Sequence, residues 1–316
     1  MFRRHVARTL ATLAFALGLG ALASEAAAQQ LIIKGMYGMM SGTQAPPGLY
    51  AGAFGAVSFA DTIKGPNGNA VEGPDLTQEL FGPLVMYVSD FKILGGNYGA
   101  VVGVPFANFM LDFPRLDNEG ASTGIALSQL YVSPVQIGWH SDKKMPIFGG
   151  GTDVIFAYTF YAPTGRYTPG ALNNTSLGMW CNELSIRATG FVDKEKNWHA
   201  AGALFYDINS KKDGVDWKQG NAINYMWGVG RNFCVPNSKL GGWVGLAGYA
   251  QWQVSSTTGA DVPVILQNNK STIYGVGPEL TALQGALTVR YLWQYGGKTT
   301  TQGSGLYVQF AMPLPF

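Results

Sequence analysis

The feature that most constrains this chain is a recurring alternation of apolar and polar residues. It runs in segments separated by clusters of glycine, asparagine, aspartate, proline and lysine, which is the pattern of antiparallel strands joined by turns. A tilted strand of about ten residues has the length that crosses a bilayer. We predict twelve strands, with ten or fourteen as alternatives, near 49–60, 79–89, 97–109, 125–140, 151–161, 180–191, 197–207, 220–232, 241–254, 271–281, 285–295 and 304–312.

The two faces of a strand are clearest in the ninth of these segments. Val244, Leu246 and Trp252 share one side of it, while Tyr249 and Gln251 share the other. An apolar side toward lipid and a polar side toward a lumen accounts for this alternation, and the sixth and eleventh segments divide in the same way. A soluble sandwich would show the same alternation with its apolar side turned inward, so alternation by itself leaves both architectures open.

The lengths of the connections favour a transmembrane barrel. In such a barrel, with both chain ends on the periplasmic side, the odd-numbered links are outer loops and the even-numbered links are short periplasmic turns. The even-numbered links of this chain are mostly the shorter ones. The odd-numbered links are 61–78, 110–124, 162–179, 208–219, 255–270 and 296–303. We therefore predict an all-β fold, a transmembrane antiparallel β-barrel.

The C-terminus supports the same fold. Every second residue back from Phe316 is apolar, as far as Leu306. A terminal aromatic residue on an alternating strand resembles the signal read by the outer-membrane assembly machinery. That machinery is therefore an expected partner during biogenesis, and outer-membrane lipids are the expected surroundings.

The first residues have the features of an export signal. Arg3, Arg4 and Arg8 precede an apolar run over 10–23, which is too short to span a bilayer as a helix and is followed by small residues before Gln29. We predict a cleaved signal peptide at 1–28 and location in the outer membrane of a Gram-negative bacterium. The remaining domains are an N-terminal segment at 29–48 and the barrel at 49–316.

Composition excludes other classes of protein. The chain is 47% hydrophobic and 13% charged, and its net charge is only +2. No patch of basic residues suited to nucleic acid is present, so no nucleic-acid partner is expected. Beyond the N-terminal run no stretch approaches 18 apolar residues, so helical membrane spans are also excluded.

Four motifs resemble those of a known family. They are PPGLY at 46–50, YVSPVQIGW at 131–139, YAPTGRY at 161–167 and GVGPEL at 275–280. In this order they resemble the outer-membrane channels named for the meta-cleavage pathway of phenol degradation, the MetA-pathway phenol degradation family. The resemblance covers nearly all of the chain after the signal.

The resemblance implies a channel for passive uptake of small hydrophobic compounds, aromatic ones among them. A barrel of twelve strands is also narrow, so a wide aqueous pore is not expected. Two alternatives stay open, a structural or partner-binding barrel and a lipid-modifying barrel enzyme. The family supplies no catalytic residues and no cofactor, and the expected solute partner is a small hydrophobic molecule.

Five charged residues are predicted to face the lumen. They are Glu183, Arg187, Arg231, Glu279 and Arg290. A buried charge must be paired or hydrated, so charges of both signs inside a barrel can form a network that narrows the pore. The alternative is an ordinary polar interior without a constriction.

The segment before the first strand is unusually apolar for an exposed tail. It carries Met36, Tyr37, Met39 and Met40. Methionine adapts its shape to varied ligands, so the segment could lie in the lumen as a plug and contact a solute. The alternative is an ordinary periplasmic tail.

Residues that could carry chemistry are few. His140 and His199 are predicted near the periplasmic rim as interfacial residues, and Ser141 points away from His140 because neighbours on a strand face opposite sides. No histidine and cysteine spacing suggests a metal site. Glycine-rich stretches at 149–151 and 228–230 precede no helix, so a phosphate-binding loop is not expected. We predict no catalytic residue, no metal and no cofactor.

Overall fold

The computed structural model describes residues 35–71, 75–112, 120–143, 146–171, 173–234, 241–264 and 266–315. This part of the chain forms an antiparallel sheet closed into a barrel of twelve long strands, which confirms the predicted fold class and strand number. The strands are β1 Gly48–Lys64, β2 Asp75–Ile93, β3 in two segments, Gly96–Gly103 and Phe106–Asp112, β4 Leu130–Ser141, β5 Thr152–Ala162, β6 Cys181–Phe191, β7 Trp198–Asn209, β8 Ala222–Cys234, β9 Gly241–Gln253, β10 Thr272–Ala282, β11 Leu287–Lys298 and β12 Thr300–Pro313.

The barrel closes at β1. This strand pairs with its sequence neighbour β2 and also with the last strand, so that Tyr50 lies opposite Met86 on one side and Pro313 on the other. Closure leaves no open sheet edge between the first and last strands. Three short strands extend the wall beside β1 and β3, at Ala70–Val71, Gly120–Ser122 and Ala126–Leu127. A 3-10 turn covers Leu283–Gly285.

The two faces of the wall are those predicted from the alternation. In β9, Leu246 is 49% exposed on the outside, whereas Tyr249 and Gln251 are buried on the inside. In β6, Leu184 and Ile186 are exposed, while Glu183, Ser185 and Arg187, which alternate with them, are buried. An outer surface of large apolar side chains is stable in a bilayer and not in water, so the barrel has a transmembrane exterior. In the described part of the chain, no helix is both long enough and apolar enough to cross a membrane.

The links differ at the two ends of the barrel. One end of the barrel, called the short-turn end, carries the links 94–95, 192–197 and 283–286. Strand β1 begins at this end and β12 ends there. Leu94 and Gly95 both have positive φ, as a two-residue hairpin turn requires. The other end, called the loop end, carries long links such as 163–180 and 254–271.

One predicted loop is wrong. Residues 296–303 were expected to form an outer loop, but β11 and β12 continue through this stretch and turn at Thr299. Lys298 pairs with Thr272, and Thr300 pairs with Lys64. The polar residues indicated correctly that the chain leaves the apolar region. Neighbouring strands nevertheless keep the backbone paired beyond it.

Candidate functional site

The middle of the lumen is filled by apolar side chains. Phe205, Met226 and Tyr249 project inward from β7, β8 and β9, and each is at most 2% exposed. The lumen was predicted to be polar, but in a narrow barrel the inward residues reach one another and pack. The sequence did contain one indication of an apolar lumen, because Leu292 is an apolar residue on the inward side of β11. The apolar layer, as we call this set, consists of Ala56, Ala203, Phe205, Met226, Ala247, Tyr249, Ile273, Leu292 and Tyr307.

Residues 35–44, called here the lumenal segment, lie inside the barrel near the short-turn end. Met36 and Tyr37 pack against the apolar layer, and the Tyr37 ring centroid is 5.1 Å from that of Phe205. Met39 is completely buried, whereas Met40 is half-buried. The candidate ligand-contact residues therefore lie on the path through the lumen. Residues 29–34 lie outside the described part of the chain.

The lumenal segment reaches opposite walls of the barrel. On one wall, Arg290 Nη1 of β11 donates to the Met36 carbonyl oxygen at 2.8 Å. On the other, the Gly42 N–H donates to Thr189 Oγ1 of β6 at 2.9 Å, and Thr43 Oγ1 donates to Asp153 Oδ2 of β5 at 2.8 Å. The segment thus crosses the short-turn mouth from side to side.

Glu279 and Arg290 form a buried ion pair that also holds this segment. Arg290 Nε lies 2.8 Å from Glu279 Oε2, and Nη2 donates to Oε1 at 3.2 Å. Glu279 Oε2 also accepts the Met39 N–H at 3.1 Å, and Arg290 Nη1 donates to Gln309 Oε1 at 2.8 Å. Each charge is paired and further hydrogen-bonded, which is the condition for a buried ion pair to be tolerated.

Glu183 and Arg187 lie farther along the lumen on β6. The Arg187 guanidinium lies over the Tyr37 ring, 5.0 Å from its centroid, which is a cation–π contact. Glu183 Oε2 accepts the Tyr161 hydroxyl at 3.1 Å, and Glu183 is directly opposite Asp207 of β7. Four of the predicted charged residues therefore lie in the lumen in two groups, one on β6 and one on β10 and β11.

Arg231 was predicted to face the lumen, and this is wrong. It is exposed on the outer face of β8, with its Cζ 5.4 Å from the centroid of the Trp198 ring. Val229 points the same way, while Gly230 between them is buried. Near the short-turn rim an arginine on the outer face reaches the polar headgroup level, so its charge is not placed in hydrocarbon.

The two histidines lie at the short-turn end but differ in their surroundings. His140 is at the rim, where its Nδ1 contacts Asp153 and its Nε2 lies 3.2 Å from Asp142 Oδ1. His199 was predicted to be interfacial, but it points into the lumen and is 2% exposed, with its ring edge-on to Trp243. Within the described ranges, no three histidine, cysteine or acidic side chains are grouped to hold a metal.

Several lumen residues escaped the sequence analysis, Asp207 and Asn224 among them. Asp207 and Asn224 are each 2% exposed, and Asn224 Nδ2 donates to Asp207 Oδ2 at 2.8 Å. The signal was available in β7, where His199, Phe205 and Asp207 fall on the same inward side at even spacing. Both residues lie on the loop side of the apolar layer, because each is two positions nearer the loop end than a member of that layer.

Comparisons with solved structures agree with this architecture. The crystal structure of an outer membrane channel from Pseudomonas putida F1 has a TM-score of 0.66 at 11% identity, and the match covers 86% of this chain and 97% of that one. The β-domain of the Bordetella autotransporter BrkA has a TM-score of 0.46 at 12% identity, covering 84% of this chain and 99% of that one. The first of these matches establishes a shared fold.

Sequence comparisons give the family. No curated protein sequence matches the chain. A family model described as "Putative MetA-pathway of phenol degradation" matches residues 60–310. This range includes every strand from β2 to β11, most of β12 and the last five residues of β1. The resemblance drawn from the four sequence motifs is therefore confirmed, and the chain belongs to the family of the "Putative MetA-pathway of phenol degradation".

Proposed function

We propose that this protein is an outer-membrane channel for the passive uptake of small hydrophobic compounds, aromatic ones among them. The observation that carries the proposal is the apolar layer in the middle of the lumen. Water-filled porins have a polar interior instead. A solute that crosses this layer must make contacts with aromatic and aliphatic side chains.

The energetics of such a path favour hydrophobic solutes. Burial against the apolar layer contributes about 25 cal/mol per Å² of apolar solute surface. A sugar entering the same layer would exchange its water for partners that cannot hydrogen-bond with it, which is costly. Selectivity would thus arise from the lining of the lumen as well as from its width.

The lumenal segment has the position of a plug in this proposal. It crosses the short-turn mouth and buries Met39 completely, so a solute can leave by that mouth only when the segment moves. In the usual orientation of outer-membrane barrels the short turns are periplasmic. Solute would then enter among the loops, cross the apolar layer and leave past the displaced segment into the periplasm.

Uptake by intact cells tests this proposal, because the polysaccharide-coated outer leaflet is the barrier to hydrophobic solutes. A porin-depleted Gram-negative host that expresses the protein is compared with the same host carrying an empty vector. Uptake of toluene is expected to increase, while uptake of arabinose stays at the vector level. Equal acceleration of both solutes would identify a general porin, and acceleration of neither would favour the structural or partner-binding alternative.

A matched pair of variants connects uptake to the apolar layer. Met226→Gln introduces an amide of similar size into the layer, whereas Met86→Gln makes the same change on the inner side of β2, outside it. We expect Met226→Gln to lower toluene uptake several-fold and Met86→Gln to leave it near the wild-type rate. Heat-modifiable migration on gels serves to verify that both variants fold and insert.

A further inference from the structure

A row of polar side chains borders the apolar layer on its loop side. Glu183, Asp207, Asn224 and Gln251 come from the four neighbouring strands β6 to β9, and each is at most 2% exposed. In the register of the sheet, Glu183 of β6 lies directly opposite Asp207 of β7. Asn224 of β8 lies directly opposite Gln251 of β9. The hydrogen bond between Asn224 and Asp207 joins the two pairs. We call these four residues the polar row.

The hydrogen bonding of the polar row is incomplete, and what remains is mostly acceptors. Asp207 Oδ1, Asn224 Oδ1 and Gln251 Oε1 are buried without a partner, as is Oδ1 of the adjacent Asn209. Gln251 Nε2 is the one hydrogen-bond donor of the row that is also buried without a partner. An unsatisfied buried polar group is costly, so these oxygens would bind a group that donates hydrogen bonds.

The acidic residues of the polar row also favour a solute that donates hydrogen bonds. Glu183 and Asp207 are two carboxylates at directly opposing positions, and like charges there repel each other. The guanidinium of Arg187, on the same strand as Glu183, lies over the Tyr37 ring, and its buried Nε has no hydrogen-bond partner among the described residues. A carboxylate solute would bring further acceptor oxygens beside these two acids, whereas a hydroxyl or ammonium group would supply the donor that the unpartnered oxygens lack.

The residues of the apolar layer that adjoin the polar row fit an aromatic ring. Phe205, Met226 and Tyr249 each lie two positions from a member of the row, on the same inward face of its strand. The ring of Tyr37, itself a phenol, already stacks against Phe205. When the lumenal segment moves, the aromatic surface that Tyr37 covers becomes available to a solute.

We propose that the polar row selects solutes by their polar group, accepting an aromatic compound with a hydrogen-bond donor, hydroxyl or ammonium, and disfavouring an aromatic carboxylate. The ring contacts Phe205, Met226 and Tyr249 while the polar group donates to Asp207 Oδ1 and to an amide oxygen of Asn224 or Gln251. The inference rests on the proposed uptake function and names its solute class and the residues that recognise it.

The test compares four probes of nearly equal size in porin-depleted cells that express the full-length protein. The probes are benzyl alcohol, benzylammonium, benzoate and toluene, and rates are taken relative to toluene, which has no polar group. We expect benzyl alcohol and benzylammonium to enter at least about tenfold faster than benzoate, the ratio given by a difference of about 1.4 kcal/mol.

Two nearly isosteric substitutions assign the effect to the polar row. Asp207→Asn removes a charge and keeps an acceptor oxygen, so it should lower the benzylammonium rate several-fold and the benzyl alcohol rate less. Gln251→Met removes the amide, so it should lower both rates relative to toluene. Gln78→Met, on the inner side of β2 and outside the row, is the control and should change neither ratio.

The outcomes separate this inference from the function on which it rests. Toluene uptake above the vector level with unchanged ratios in Asp207→Asn and Gln251→Met would overturn the inference alone. Entry of benzoate as fast as benzyl alcohol in the wild type would also overturn it. If none of the four probes, toluene included, enters faster than in vector cells, the proposed uptake function fails and the inference fails with it.

Discussion

At the short-turn end of the lumen, Glu279 and Arg290 bind each other and the backbone of the lumenal segment. On the loop side of the apolar layer, Glu183 and Asp207 face each other as like charges, and acceptor oxygens beside them have no partner. Buried charge at the first place is used to hold the chain's own segment. At the second, Glu183 and Asp207 accept hydrogen bonds from Tyr161 and Asn224, and Asp207 Oδ1 is left without a partner among the described residues. Equally buried acids can therefore have different roles, and their partners distinguish the two.

The largest expected effect comes from removing one acid at each place. Glu279→Gln leaves the buried Arg290 guanidinium without its counter-charge, so it should destabilise the barrel by about 3–5 kcal/mol and loosen the lumenal segment. Glu183→Gln removes one of two like charges and should cost far less or stabilise. Denaturant unfolding in detergent measures the stability, and single-channel conductance in planar bilayers measures the opening. An equal loss of stability in both variants would contradict the comparison.

A smaller effect is expected from crowding the lumenal segment without changing charge. A Cβ at Gly228 would lie 2.4 Å from the backbone nitrogen of Met39, whereas a Cβ at Gly55 would meet nothing within 4 Å. Gly228→Ala should therefore cost about 1–3 kcal/mol and raise the ion conductance, as overpacking displaces the segment. Gly55→Ala is the control and should leave the conductance at the wild-type level. A closed, wild-type channel in Gly228→Ala would mean that the segment adapts without moving.

The smallest expected effect concerns a single hydrogen bond at the far end of the segment. Thr43→Val removes the bond to Asp153 and should cost about 1 kcal/mol, with brief openings in conductance records. Asp142→Asn, at an exposed ion pair with Lys196, should change neither stability nor conductance measurably. If Asp142→Asn opens the channel as often as Thr43→Val, the contact of the segment with β5 is not what holds this end.

The strands and their faces could be predicted because period-two alternation is local. The face of the wall on which Leu246 or Gln251 lies follows from the pattern of their own strand, whatever surrounds that strand. Arg231 was assigned wrongly because its strand passes the limit of the apolar region, where a charge is tolerated on either face. The turn at Thr299 was missed because polar residues indicate water and say nothing about whether strand pairing continues.

The lumen was harder to predict, because its contacts join distant parts of the chain. The direction of a side chain follows from the pattern of its own strand, but its neighbours across a closed barrel depend on the whole sheet. Glu279 and Arg290 could be proposed as lumen residues, yet nothing in their surroundings in the sequence points to Met39. The unpartnered oxygens of Asn224 and Gln251 became visible only with the packing around them.

The hydrogen bond between Met39 and Glu279 also sets an order of events during biogenesis. Its two residues are 240 positions apart, so the part of the segment that is synthesised early has no place to dock until β10 and β11 exist. A barrel stalled before its last strands would leave Met36, Tyr37 and Met39 exposed to water, where proteases and chaperones recognise unfolded chain. The lumen is therefore sealed only in molecules whose strands β10 and β11 have formed.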